Sequence, residues 1–125
     1  MLLFTSFTYS KVDAQTIYSD VNFLKANICL FATCNTFDAV YKAENQQLEG
    51  EKQLAVIKNR LDLANKYYLI LKVKYSSNKD FKLFEQNIQV MLKCYNYLKE
   101  NDNTWALAFT LVKMNLDEMV NSKIK

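Results

Sequence analysis

The chain has 125 residues, half of them apolar, with eight Tyr, eight Phe, one Gly, no Pro, no His and a formal net charge of +3. That length fits one domain with a real core, and the apolar and aromatic content excludes a disordered segment. The near-absence of Gly and Pro argues against the tight hairpins of an all-β fold, and the mild charge with a single Arg, Arg60, argues against a nucleic-acid binder.

The opening "MLLFTSFTYSKVDA" joins a short apolar run to Val12-Asp13-Ala14, whose slim and small residues are placed as at a signal-peptidase site. Residues 1–14 are therefore read as a signal-peptide remnant, against a packed N-terminal extension, and residues 15–125 as a single helical domain. The run is too short to span a bilayer, so no membrane insertion is expected.

Ser19 is a fair N-cap for a first helix from about Asp20 to the mid-forties. Phe23, Leu30, Cys34, Phe37 and Tyr41 make one apolar face, and Val21, Leu24, Ile28 and Phe31 make another. A helix apolar around so much of its circumference is expected to be the buried, central one. "KAENQQLEGE", containing Gly50, reads as the first polar break. In the second helix, Leu54, Ile57, Leu61, Ala64, Tyr68, Leu71 and Tyr75 form a sustained heptad seam.

"YSSNKD" breaks that seam, with Ser77 and Asp80 spaced like a capping box. The third helix carries Phe81, Phe84, Ile88, Met91, Tyr95 and Leu98. After "KENDNT", the fourth carries Trp105, Phe109, Val112, Leu116 and Met119. Short connections between long helices make antiparallel neighbours, so the expected fold is all-α, a small antiparallel bundle of four or more helices. Aromatic residues at helical spacing belong to such a core rather than to a cofactor or base-stacking site.

The three cysteines limit the chemistry. Cys29 and Cys34, five apart on a helix, have Cα atoms about 8–9 Å apart, beyond disulfide reach. Their spacing is too wide for the usual zinc pair and no His completes a set, so no metal is expected. Cys94, beside Met91 and Tyr95, can meet either face of the first helix. One disulfide from Cys94 to the first helix is expected, with Cys34 preferred over Cys29. It would close a loop of about sixty residues worth about 4 kcal/mol in the loop-entropy model. The alternative is three reduced thiols in a core.

No catalytic constellation stands out. Without His the commonest general base is missing, the carboxylates fall mostly at helix ends and on polar faces, and there is no Gly-rich phosphate loop. The chain is expected to be a binding protein rather than an enzyme, without a cofactor, presenting "YSSNKD" (Tyr75–Asp80) or "ENDNT" (Glu100–Thr104) to a partner.

Ala32, Thr33, Cys34 and Tyr41 in "ATCNTFDAVYK", and Leu92, Lys93, Cys94 and Tyr97 in "MLKCYNYLKENDN", carry a family resemblance. Together with the signal-like N-terminus they resemble the periplasmic immunity proteins that neutralise type VI secretion amidase effectors, over roughly residues 20–110. The resemblance implies a periplasmic homodimer that occludes the active site of a cognate peptidoglycan amidase. It implies that a loop ahead of the "LKC" helix enters the effector's groove, by position Tyr75, Ser76, Ser77, Asn78, Lys79 and Asp80. It also implies that Cys34 and Cys94 pair, with Cys29 a spare thiol. The competing expectation is a cytosolic helical adaptor or phage-encoded regulator, with reduced cysteines and no amidase partner.

Overall fold

A helix begins where something accepts its orphan backbone N–H groups. Residues 17–119 are described by the computed structural model, and three side chains do this there. Asp20 accepts from Asn22 N at 2.8 Å, Asn45 from Leu48 N at 3.0 Å and Asn78 from Phe81 N at 3.0 Å. They open α1 (Val21–Lys42), α2 (Gln46–Tyr75) and α3 (Lys79–Lys99), and α4 (Trp105–Met119) follows. The caps differ from the expected ones: Asp20 replaces Ser19, and Asn78 replaces the Ser77–Asp80 capping box.

Between α3 and α4, Asn101 takes a left-handed φ of 60°. Its N–H bonds Leu98 O at 3.1 Å, and Asp102 N–H bonds Tyr97 O at 2.8 Å. This is the Schellman termination, which returns donors to the last orphan carbonyls of a helix.

The helices form a ring in which α1 packs on α2 and α4, and α3 packs on α2 and α4. Sequence neighbours are antiparallel, so the all-helical bundle has an up-down-up-down order. The α2 and α4 seams point inward as expected: Ile57, Leu61, Ala64, Leu71, Trp105, Phe109, Val112 and Leu116 are all buried. Buried polar groups are satisfied locally, as where Asn27 donates to Phe23 O at 2.8 Å.

Two sequence expectations are corrected. First, α1 is not a central helix. Phe23, Leu30, Cys34 and Phe37 are buried, but Val21 is 57 % exposed, Ile28 65 % and Tyr41 52 %. A four-membered ring gives each helix two neighbours, so among the described residues no helix packs over Val21 and Ile28, while Phe31 is partly buried against the core. Second, "KAENQQLEGE" is not a long break, because Asn45 already caps α2 and Gly50 lies inside it, buried.

Gly50 is there for close approach. A Cβ built on it would lie 2.9 Å from Leu98 Cδ1 and 3.7 Å from Val40 Cγ1. Leu98 Cδ1 ends a flexible side chain, so Gly50→Ala should stay within about 1 kcal/mol of the parent, the helix-propensity gain offsetting the shift. Gly50→Val should cost about 1–3 kcal/mol through overpacking. Urea midpoints of the two variants test this, and equal midpoints would mean that α2 and α3 do not close on Gly50.

Candidate interaction site: the turn between α2 and α3

The heptad seam of α2 ends at Tyr75, and Asn78 immediately caps α3, leaving a connection of only residues 76–78. Tyr75 is 2 % exposed and Asn78 7 % exposed, so both are structural: Tyr75 closes the core, and Asn78 caps the helix. Ser76, Ser77 and Lys79 are exposed, while Asp80 is half-buried. Of the six residues expected at the partner surface, three therefore form the accessible tip and the others hold it. The turn is tight rather than a long reaching loop. An open depression of about 420 Å³ lies beside it, lined by Ser77, Lys79, Asp80, Lys82, Leu83 and Gln86.

The turn is anchored to the segment ahead of α1. Tyr75 Oη donates to Asp20 Oδ2 at 2.8 Å, and Lys74 Nζ lies 3.3 Å from the same oxygen. Burial alone would push the Asp20 carboxyl up, but the Tyr75 hydroxyl, the Asn22 N–H and Lys74 outweigh it and hold it below the usual carboxylate value. On the other side, Tyr18 lies near Asp80, and burial together with that carboxylate pushes the phenol well above its ordinary range. One residue from each flank of the turn is thus tied to the same short segment.

The disulfide expected between Cys34 and Cys94 is not present. All three cysteines are free, and no pair lies at disulfide distance. The reason is topological. α1 and α3 sit on the diagonal of the ring, and with neighbouring axes about 8–10 Å apart the diagonal is roughly 11–14 Å. A disulfide needs Cα atoms within about 7 Å. Both thiols are nevertheless buried in the core. Burial pushes both up to about 12, and the Cys34 thiol adds to the effect on Cys94.

Cys29 is only half-buried, and burial raises it while the Arg60 charge opposes the rise. A thiol reagent at pH 8 should therefore modify only Cys29 in the folded protein, slowly, and all three cysteines after denaturation. Prior reduction should change neither count. Fast labelling of Cys34 or Cys94 in the native state would contradict their burial.

At the opposite end of the bundle, the Glu100–Thr104 connection is organised by Asp102, which accepts from Thr104 N at 2.9 Å and Thr104 Oγ1 at 2.6 Å. A depression of about 250 Å³ beside it involves Gln46, Glu51, Asn101, Asn103 and Trp105. Among the described residues no three acidic or Cys side chains converge as metal ligands, and no helix is long and apolar enough to cross a membrane. Residues 1–14, with the signal-like pattern, lie outside the described residues.

Sequence reading missed the outward aliphatic rows. On α4 these are Leu107, 75 % exposed, with Leu111 and Met114; on α2 they are Val56, Leu63 and Ile70. Their signal was available as a second apolar spacing of three, four or seven outside each core seam. The described residues define an all-α bundle of four long helices with an anchored inter-helix turn. Comparison with protein-family models, curated proteins and solved structures finds no match to the chain.

Proposed function

We propose that this chain is a non-catalytic immunity protein that binds a cognate type VI secretion peptidoglycan amidase in the periplasm and occludes its active site. The observation that carries the reading is the anchored turn. Ser76, Ser77 and Lys79 are presented outward on a connection that Tyr75, Asn78 and Asp80 hold to the bundle. A tip already held in place loses little conformational freedom on binding, which favours affinity. Its rigidity comes from the Asp20 and Tyr18 contacts and needs no covalent tie. The aliphatic row Leu107, Leu111 and Met114 is where this reading seats the second copy of a homodimer.

The test is titration of the cognate amidase on peptidoglycan with the parent chain and with the double variant Ser76→Arg/Lys79→Glu. Stoichiometric inhibition by the parent, weakened about a hundredfold in the variant at unchanged melting temperature, is the expected result for a central contact. Equal inhibition by both proteins would remove the turn from the interface, and no inhibition by the parent would remove the immunity reading.

A second reading, a cytosolic helical adaptor or phage-encoded regulator, is favoured by the free buried thiols together with the uncovered helix faces. It expects partner binding that survives the turn variant and is lost when the outward aliphatic residues are changed.

A further inference from the structure

The groove between α1 and α2 combines three features that the turn does not use. The first is two aliphatic rows at helical register. Val56, Leu63 and Ile70 recur every seven residues on α2, and Val21, Leu24 and Ile28 recur three and four apart on α1, all of them exposed. Such spacing is that of a helix–helix seam, yet both helices bury other residues in the core.

Val56 and Leu63 on α2, and Val21 and Ile28 on α1, flank one groove. Arg60, four residues after Val56 and three before Leu63, crosses to α1 by donating to Ala32 O at 3.1 Å and to Thr36 Oγ1. Lys25, four residues after Val21 and three before Ile28, places its ammonium 6.0 Å from the centre of the Tyr67 ring on α2. These contacts are the lips where the helices meet, and residues three or four positions away lie beside them on the same side of each helix.

The second feature is a depression of about 300 Å³ in the groove, lined by Ala32, Asn35, Thr36, Ala39, Gln53 and Arg60. Ala32 and Ala39, seven apart, leave room for another backbone to approach. Arg60 is half-buried there, and it donates to a carbonyl and a hydroxyl rather than to a carboxylate. A guanidinium engaged through one nitrogen keeps donors for a planar anion.

The third feature is charge. Lys25 and Arg60 stand on the two lips of the groove, while Asp62 pairs with Lys58 at 2.7 Å and Glu49 accepts from Gln53 at 3.0 Å.

We propose that the α1–α2 groove is a docking site for an amphipathic helix from a partner protein, one that carries acidic flanks and a carboxylate directed at Arg60. The area selects a single helix. From Gln53 to Ile70 the groove runs about 25 Å along α2, and the two helices together are about 20 Å wide, roughly 500 Å² on this side. That reaches the threshold of a specific interface but falls short of the ~800 Å² per partner of a standard dimer. A second copy is also disfavoured by charge, since a two-fold contact would oppose Arg60 and Lys25 to like charges. The inference stands apart from the turn, so the turn variant serves as its control.

The probe is a fluorescein-labelled designed helix with Leu at a and d, one central a-position Glu, and Glu at e and g. A control helix has Lys in place of every Glu. Anisotropy titrations with the full chain should show the Glu helix binding at least tenfold tighter than the Lys helix, with the difference shrinking in high salt. Arg60→Gln and Leu63→Glu should each weaken binding tenfold or more, and Ser76→Arg/Lys79→Glu should leave it unchanged. Leu63 is a surface position, so Leu63→Glu remains informative should Arg60→Gln unfold, and circular dichroism distinguishes the two cases. Equal affinity for both helices would overturn the proposal, as would undiminished binding by a folded Leu63→Glu chain. So would a concentration-dependent dimer that Ile28→Glu abolishes.

Discussion

Phe37→Ala is expected to lower the unfolding free energy by about 3–5 kcal/mol, the largest effect of any single truncation considered for this bundle. Phe37 is fully buried on α1. Its ring lies 5.7 Å from that of Trp105 at 29° and 5.9 Å from that of Phe109 at 19°. Trp105 and Phe109 are themselves 5.6 Å apart, so three rings from two helices form one stack. α4 is the shortest of the four named helices, with 15 residues, and this stack fastens its first turns to α1. Truncation removes the ring's burial, opens a cavity between two aromatic partners and loses the stacking preference itself, about 0.5–1.5 kcal/mol per pair.

For a domain of this size each kcal/mol shifts the midpoint by about 4 °C, so the melting temperature should fall by roughly 12–20 °C. Trp105, the only Trp, reports the same event through its emission. Leu107→Ala, on the outward side of α4, is the control and should stay within about 0.5 kcal/mol of the parent. A loss below about 1 kcal/mol for Phe37→Ala would mean that α4 does not dock through these rings.

Asp20→Ala should cost about 2–4 kcal/mol at pH 7. The carboxylate does two jobs: it caps α1 at Asn22 N, worth about 0.5–2 kcal/mol, and it accepts a charge-assisted bond from Tyr75, worth about 1.5–3 kcal/mol. Its side chain is only 8 % exposed, so water does not replace those partners. Because the folded state holds this carboxyl below its ordinary value, the unfolded state takes up its proton first as pH falls. The Asp20 contribution is therefore complete above about pH 4 and is lost as pH drops through the lower folded pKa. Asp20→Asn keeps the cap and removes the charge. Its stability should run parallel to that of Asp20→Ala on acidification, with the parent losing more than either below pH 4. Identical acid profiles for the parent and Asp20→Asn would falsify the carboxylate's role in anchoring the turn.

Much of the architecture was legible along the chain. Leu61, Ala64 and Leu71 on α2 and Phe109, Val112 and Leu116 on α4 are buried where their spacing placed them, because a 3.5-residue apolar period can be satisfied only by turning one stripe inward. The turn at Tyr75–Asp80 was placed correctly by its polar composition. What composition did not convey was its internal division. Ser76, Ser77, Asn78 and Lys79 all read as polar turn residues, and only the capping geometry separates buried Asn78 from the exposed tip.

Three features misled the reading for one reason, which is that neighbours across space leave little trace along the chain. The polar run around Gly50 looked like a loop, although Leu98, nearly fifty positions away, makes that glycine a site of close packing. The apolar circumference of α1 looked like that of a central helix, although the ring leaves Val21 and Ile28 outside. Cys34 and Cys94 looked like a pair, although they sit on diagonal helices.

By itself the sequence determined the helical class, the number of long elements, their inward seams and the location of the connections. These follow from local periodicity and capping chemistry, which act within a few residues. Only the tertiary structure decided which helices are neighbours and which are diagonal, and so which thiols stay apart and which aliphatic rows stay uncovered. It also decided that Arg60 would meet Ala32 and Thr36 in a groove, and that Asp20 would anchor a turn beginning 55 residues further on. Those outcomes depend on the ring order of four packed cylinders, a property of the assembled bundle that no single helix pattern encodes.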